Sequence, residues 1–190
     1  MRLQGIIIVL FIFGIAAVMS GISVWHHYEK GRRCLEFWGP QDAHLINQAS
    51  KVELLVLAEK TEPTVPNGAH AEDGQTLDIA AGKPKQVPIA RRIDISQARG
   101  LVHARHIFVS DESFQWPGPD DATITAPPAT WRYAVRFQEG EQSVALLLDL
   151  LQRKVRSTTK AEELRFVPKL SDGLEVFFAE QIQSETNPKR

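Results

Sequence analysis

The stretch TWRYAVRFQEGEQSVALLLDLL, residues 130–151, decides the fold class. In its first half Trp131, Tyr133, Val135 and Phe137 alternate with Arg132, Ala134 and Arg136, the period of two that a half-buried strand requires. Glu139-Gly140 supplies a turn. The second half, SVALLLDLL over residues 143–151, is apolar on both faces except at Asp149, as a central strand would be. Two adjacent strands joined by a tight turn predict an antiparallel pair at the middle of a sheet.

Outward from this hairpin the chain yields further strands and a few helices. KVELLVLAE, residues 51–59, is a short apolar run fitting a buried strand. In QVPIARRIDI, residues 86–95, Val87, Ile89, Ile93 and Ile95 alternate with polar neighbours, and Pro88 places the strand near a sheet edge because it has no N–H to donate. QDAHLINQA, residues 41–49, predicts a short helix after Gly39-Pro40 has stopped whatever structure carries CLEFW. In SDGLEVFFAEQIQSE, residues 171–185, Leu174, Phe177, Phe178 and Ile182 recur at helical spacing, and Ser171 or Asp172 can cap the first turn. Residues 60–76, with Pro63, Pro66 and Asn67-Gly68, read as a long loop. The expected domain is therefore α+β, with a mainly antiparallel sheet and two or three helices over residues 41–186.

The amino-terminal part reads differently. GIIIVLFIFGIAAVMSGISVW, Gly5 to Trp25, carries no charged side chain, and an α-helix of that length matches the roughly 30 Å of a bilayer core. Trp25 and Tyr28 sit where interfacial aromatics anchor such helices. The expectation is a tail over 1–4, a single transmembrane helix over 5–25, a juxtamembrane linker over 26–40 and a carboxyl-terminal tail over 187–190. An A-x-A cleavage pattern is absent, which favours an uncleaved signal anchor over a signal peptide. Lys30, Arg32 and Arg33 pull the following domain toward the cytoplasm, but large domains translocate largely regardless of charge. The expected location is the cell membrane, with the domain outside the cytoplasm.

Composition narrows the chemistry. In 190 residues, 22 Lys plus Arg oppose 23 Asp plus Glu for a net charge of −1, which argues against a nucleic-acid partner. Cys34 is the only cysteine, so no intramolecular disulfide and no multi-cysteine zinc site can form. No phosphate-binding loop, nucleophile elbow, H-E-x-x-H helix or EF-hand loop occurs, and no cofactor is implied.

GLVHARHIFVSDESFQW, residues 100–116, holds the densest group of candidate site residues. On a helix at about 100° per residue, His103 and His106 fall together opposite an apolar arc of Leu101, Val102, Ala104, Ile107, Phe108 and Val109. Asp111 follows, so His103, His106 and Asp111 are weak candidates for a metal or catalytic site, with Cys34 a candidate nucleophile. Two histidines three apart with Arg105 between them depart from the zincin pattern. Water-facing positions on a half-buried helix account for the pair without a ligand. Arg105 interrupts the arc and calls for a carboxylate partner or an anion. The pairs Glu139/Glu141, Asp120/Asp121 and Glu162/Glu163 read as solvated surface, and Arg153, Lys154 and Arg156 as a solvated strand end or a lipid-headgroup contact. Phe114 and Trp116, among Pro117, Pro119, Pro127 and Pro128, either form an interaction surface or fold back over the sheet edge.

The functional expectation is a membrane-anchored, non-enzymatic domain that binds or scaffolds another envelope protein, with the bilayer itself a partner through residues 5–25. The alternatives are a small hydrolase-like or metal-dependent enzyme around His103, His106 and Asp111, and a membrane protein sensing pH or a ligand.

Overall fold

The computed structural model describes residues 13–15, 18–20, 31–58, 76–79, 85–118 and 129–186. An eight-stranded sheet forms the centre. Its strands are β1 (Lys51–Leu57), β2 (Thr76–Ile79), β3 (Lys85–Asp94), β4 (Phe114–Gln115), β5 (Tyr133–Glu139), β6 (Gln142–Asp149), β7 (Lys154–Ser157) and β8 (Leu164–Phe166). Their order is β2-β3-β1-β5-β6-β7-β8-β4, with every pairing antiparallel. Among the described residues, and apart from helical residues 13–15 and 18–20, four helices accompany them: α1 (Arg32–Trp38), α2 (Pro40–Gln48), α3 (Leu101–Val109) and α4 (Pro168–Thr186). The domain is α+β with an antiparallel sheet.

The hairpin read from residues 130–151 lies at the middle of this sheet. Glu139 pairs with Gln142, leaving Gly140 and Glu141 as a two-residue loop. Gly140 takes φ 57°, which glycine adopts without steric cost, at the first loop position as in a II′ turn. The strand starts at Tyr133, not at Trp131. Trp131 consequently leaves the alternation and packs with a different cluster from Val135 and Phe137.

All four helices contribute to one large core. Cys34 and Trp38 of α1, Leu45 and Ile46 of α2, Leu101, Ala104 and Phe108 of α3, and Leu174 and Phe178 of α4 meet Val52, Leu54, Val135, Phe137, Leu146 and Leu148. A second cluster lies on the other sheet face, where Leu55, Leu57, Ala134, Ala145 and Leu147 meet Leu77 and Ile79 of β2. Sheet curl makes this possible. Val56 pairs with Arg91 and Leu57 with Ile89, so the ladder skips Ala90. That skip puts Val87 and Ile89 with the second cluster and Ile93 and Ile95 with the first, against the single alternating face expected. β3 also sits one strand inside the edge, and Pro88 lies opposite Thr76, the first residue of β2.

The membrane reading is corrected. No helix among the described residues is long and apolar enough to cross a membrane. This overturns the transmembrane helix over 5–25, the signal anchor and the cell-membrane location drawn from them. A span requires about 20 apolar residues in one unbroken helix. Within 5–25 only residues 13–15 and 18–20 are described, as exposed helix; the remainder, with the tail 1–4, lies outside the described residues. The 19-residue helix α4 carries Lys169, Asp172, Glu175, Glu180 and Glu185, so it is amphipathic.

The boundary at 41 also moves. Residues 32–40, expected in a linker, form α1 and the start of α2, and α1 buries Cys34 and Trp38 in the core. The helix break falls at Gly39 (φ 84°), and Pro40 opens α2, a position where its missing N–H costs nothing. Residues 26–30, 187–190, nearly all of the 60–76 loop and the Asp120/Asp121 pair lie outside the described residues.

Candidate functional site

Helix α3 buries Leu101, Ala104 and Phe108, the three-to-four spacing of one face, and exposes His103 and His106. Val102, expected in the apolar arc, is 78% exposed. Gly100 enters the helix at φ 98°, and a Cβ there would meet the ring of Phe177 at 3.6 Å. Helix α4 buries Leu174 and Phe178, half-buries Phe177 and leaves Val176 59% exposed.

Between the two helices runs an open groove of about 620 Å³. Ala104, Ile107, Leu174, Val176 and Phe177 supply its apolar lining, and Arg99, His103, Glu180 and Gln181 its polar part. A volume of this order suits a few apolar side chains with polar groups to orient them.

The other expected site residues go elsewhere. Asp111 starts a single 3₁₀ turn (Asp111–Ser113), and both of its carboxylate oxygens are engaged at the amino end of α1. They accept the backbone N–H groups of Arg33 at 3.0 Å and Cys34 at 2.7 Å. Among the described residues, no three His, Cys, Asp or Glu side chains converge to hold a metal ion. Cys34 is 1% exposed. Burial pushes its thiol pKa well up, and the hydrogen bond to Asp111 and that carboxylate's charge push further the same way.

Among the described residues, Arg105 meets no carboxylate at hydrogen-bond distance. Its guanidinium donates to the carbonyls of Asn47 (2.7 Å) and Ala49 (2.5 Å), closing the carboxyl end of α2, where helix carbonyls lack partners. Its carbon Cζ also lies 6.0 Å from the Phe137 ring centroid. Beside it, Glu139 accepts the Ser50 N–H at 2.5 Å, which holds its carboxyl below the ordinary range.

Phe114 and Trp116 separate in role. Phe114 is buried and stacks on Phe166 with ring centroids 5.2 Å apart. Trp116 is half-buried, donates from Nε1 to the Asp111 carbonyl at 2.8 Å, and meets Phe37 edge-on at 6.4 Å. Phe114 thus belongs to the core, and Trp116 leans on α1. The basic run also has partners: Lys154 is buried against Glu163 at 3.2 Å, and Arg156 lies over Trp131 at 5.1 Å.

Two features escaped sequence reasoning. The groove depends on which side of α4 meets α3, which helical spacing alone does not specify. The other is Glu53, buried with Lys51, Arg92 and Arg136 around it. A charged residue inside the apolar run KVELLVL, flanked in space by polar positions of two alternating strands, was the available signal.

No known protein family matches this chain, and neither a curated protein nor a solved structure matches it.

Proposed function

We propose that this chain is a non-enzymatic binding module whose groove between α3 and α4 receives apolar side chains of a protein partner. One observation carries the reading: Val176 remains exposed beside an open apolar groove with Arg99 and His103 on the α3 side and Glu180 on α4. Clustered exposed apolar surface with a polar surround is characteristic of interaction sites. The partner segment best suited to a trough between two helices is a third, amphipathic one, with apolar residues three and four apart.

The enzymatic alternative has less support. It requires His103, His106, Asp111 or Cys34 to present free reactive groups together. Asp111 is taken up in holding α1, and Cys34 is buried with its thiol pushed away from the thiolate form that nucleophilic chemistry uses.

Site-specific photocrosslinking in cells tests the proposal. A benzophenone amino acid in place of Val176 should yield a discrete adduct with a protein, abolished by a second change, Phe177→Asp. The same probe in place of Glu141, in the β5–β6 turn, should not. No adduct at 176, or the same adduct at 141, defeats the reading.

A further inference from the structure

On the sheet face opposite the helices, β1, β3 and β5 gather three cations around a buried carboxylate. Glu53 of β1 is 5% exposed and lies across from Asp94 on one side and Arg136 on the other. Lys51, two residues earlier and so on the same face, reaches Glu53 Oε1 at 2.9 Å. Arg92 Nη1 stands 3.8 Å from that oxygen, and Arg136 Nη1 stands 3.8 Å from Oε2. Those two separations are too long for hydrogen bonds.

Neither arginine is hydrogen-bonded to Glu53 through these nitrogens. The Arg92 Nε atom is buried and has no hydrogen-bond partner among the described residues. Asp94, directly across from Glu53, is committed to Ser96, accepting its backbone N–H at 2.9 Å and its hydroxyl at 2.6 Å. Three cations face the two carboxylates of Glu53 and Asp94, which leaves one positive charge in excess, and among the described residues neither guanidinium sits in a hydrogen-bonded pair with a carboxylate. A buried donor left unmet is costly, and guanidinium forks match the oxygens of phosphate and carboxylate.

Geometry favours a tetrahedral anion. β3 and β5 flank β1, so these two strands run about 9.6 Å apart, two strand spacings; Arg92 stands opposite Leu55 and Arg136 opposite Glu53, and both side chains reach toward Glu53. Two guanidiniums brought in from the strands on either side of β1 suit an anion with oxygens in several directions. A planar carboxylate offers one edge.

We propose that Arg92 and Arg136, with Lys51 beside them, bind a phosphate-type oxyanion, either free or carried on a larger molecule. Glu53 limits the affinity through its own charge. This face is separate from the α3–α4 groove, so the proposal stands independently of the partner-binding reading.

Calorimetric titration of the full-length chain with inorganic phosphate and with phenyl phosphate, against chloride at equal ionic strength, tests it. The expected result is saturable binding, weakened about tenfold or more in Arg92→Gln and in Arg136→Gln, and undiminished in Glu53→Gln. Equal affinity for the two ligands assigns the free ion, and tighter phenyl phosphate assigns a phosphorylated molecule. No saturable heat with either phosphate, or unchanged affinity in both arginine variants, overturns the site. If the arginine variants fail to fold, the ³¹P linewidth of phosphate with wild type and Glu53→Gln decides, and absence of broadening in both overturns it.

Discussion

The carboxylate of Asp111 accepts the backbone N–H of Cys34 at 2.7 Å, joining positions 77 apart in the chain. With its second bond, to Arg33, Asp111 acts as the amino-terminal cap that α1 lacks locally, since Gly31 has no side chain to offer. Asp111→Ala should destabilise the domain by about 1–2 kcal/mol, the usual cost of losing a cap. Asp111→Asn, which keeps an acceptor oxygen, should cost less. Urea midpoints compare the three, and equal midpoints for wild type and Asp111→Ala would refute the cap.

Cys34 should resist thiol reagents until the protein unfolds, because both burial and the Asp111 carboxylate disfavour its thiolate. The same shift links stability to pH. A folded-state pKa raised above the unfolded one gives stability that is fully present below the ordinary thiol value of about 8.5 and is lost as pH rises beyond it. The unfolded chain then releases a proton that the folded chain keeps. Above that pH, wild type should lose up to about 1.4 kcal/mol per unit more than Cys34→Ala. Parallel stability curves from pH 7 to 10 would contradict this.

Arg105 fastens α3 to the end of α2 through the carbonyls of Asn47 and Ala49. Arg105→Met keeps much of the stem and removes the fork, and should cost about 1.5–3 kcal/mol, as for hydrogen bonds to a charged group. Arg105→Lys should recover part of that, because an ammonium lacks the planar geometry to meet both acceptors as well. A thermal melt of Arg105→Met that overlays wild type would argue that the bonds contribute nothing.

Leu147 and Leu148 are neighbours in β6 and face opposite clusters, both with zero exposure. Each change to alanine should cost about 2–5 kcal/mol, the range for leucine in a packed core. If Leu148→Ala destabilises and Leu147→Ala does not, the β2–β3 curl leaves the second face loosely packed.

Local pattern made much of this legible. The alternation at 131–137 and the helical spacing at 101–109 and 171–185 follow from periods of two and 3.6, and the strands expected over 51–59 and 143–151 follow from apolar runs, all of which depend only on which residues prefer water. The first strand ends at Leu57 and α4 begins earlier, at Pro168. The short strands do not follow from such patterns. β2, β4, β7 and β8 have two to four residues each, too few to show a period. They exist because neighbouring strands offer them hydrogen-bond partners. The apolar stretch at 5–25 suggests a span by composition, and no helix among the described residues is long and apolar enough to cross a membrane.

The candidate site was less legible than the fold. His103 and His106 were placed on the water-facing side of α3, where they are found, but the neighbours of Asp111, Cys34 and Arg105 lie far off in sequence. No spacing rule reaches across such distances.

By itself the amino-acid order determined an α+β chain with an antiparallel centre, because side-chain polarity and backbone period act between adjacent residues. Only the tertiary structure decided that the sheet is packed on both faces, that Asp111 caps α1, that Arg92 and Arg136 converge on Glu53, and that α3 and α4 leave a groove. Each of these needs segments far apart in sequence to come together, and that proximity is fixed by the packing of the whole core.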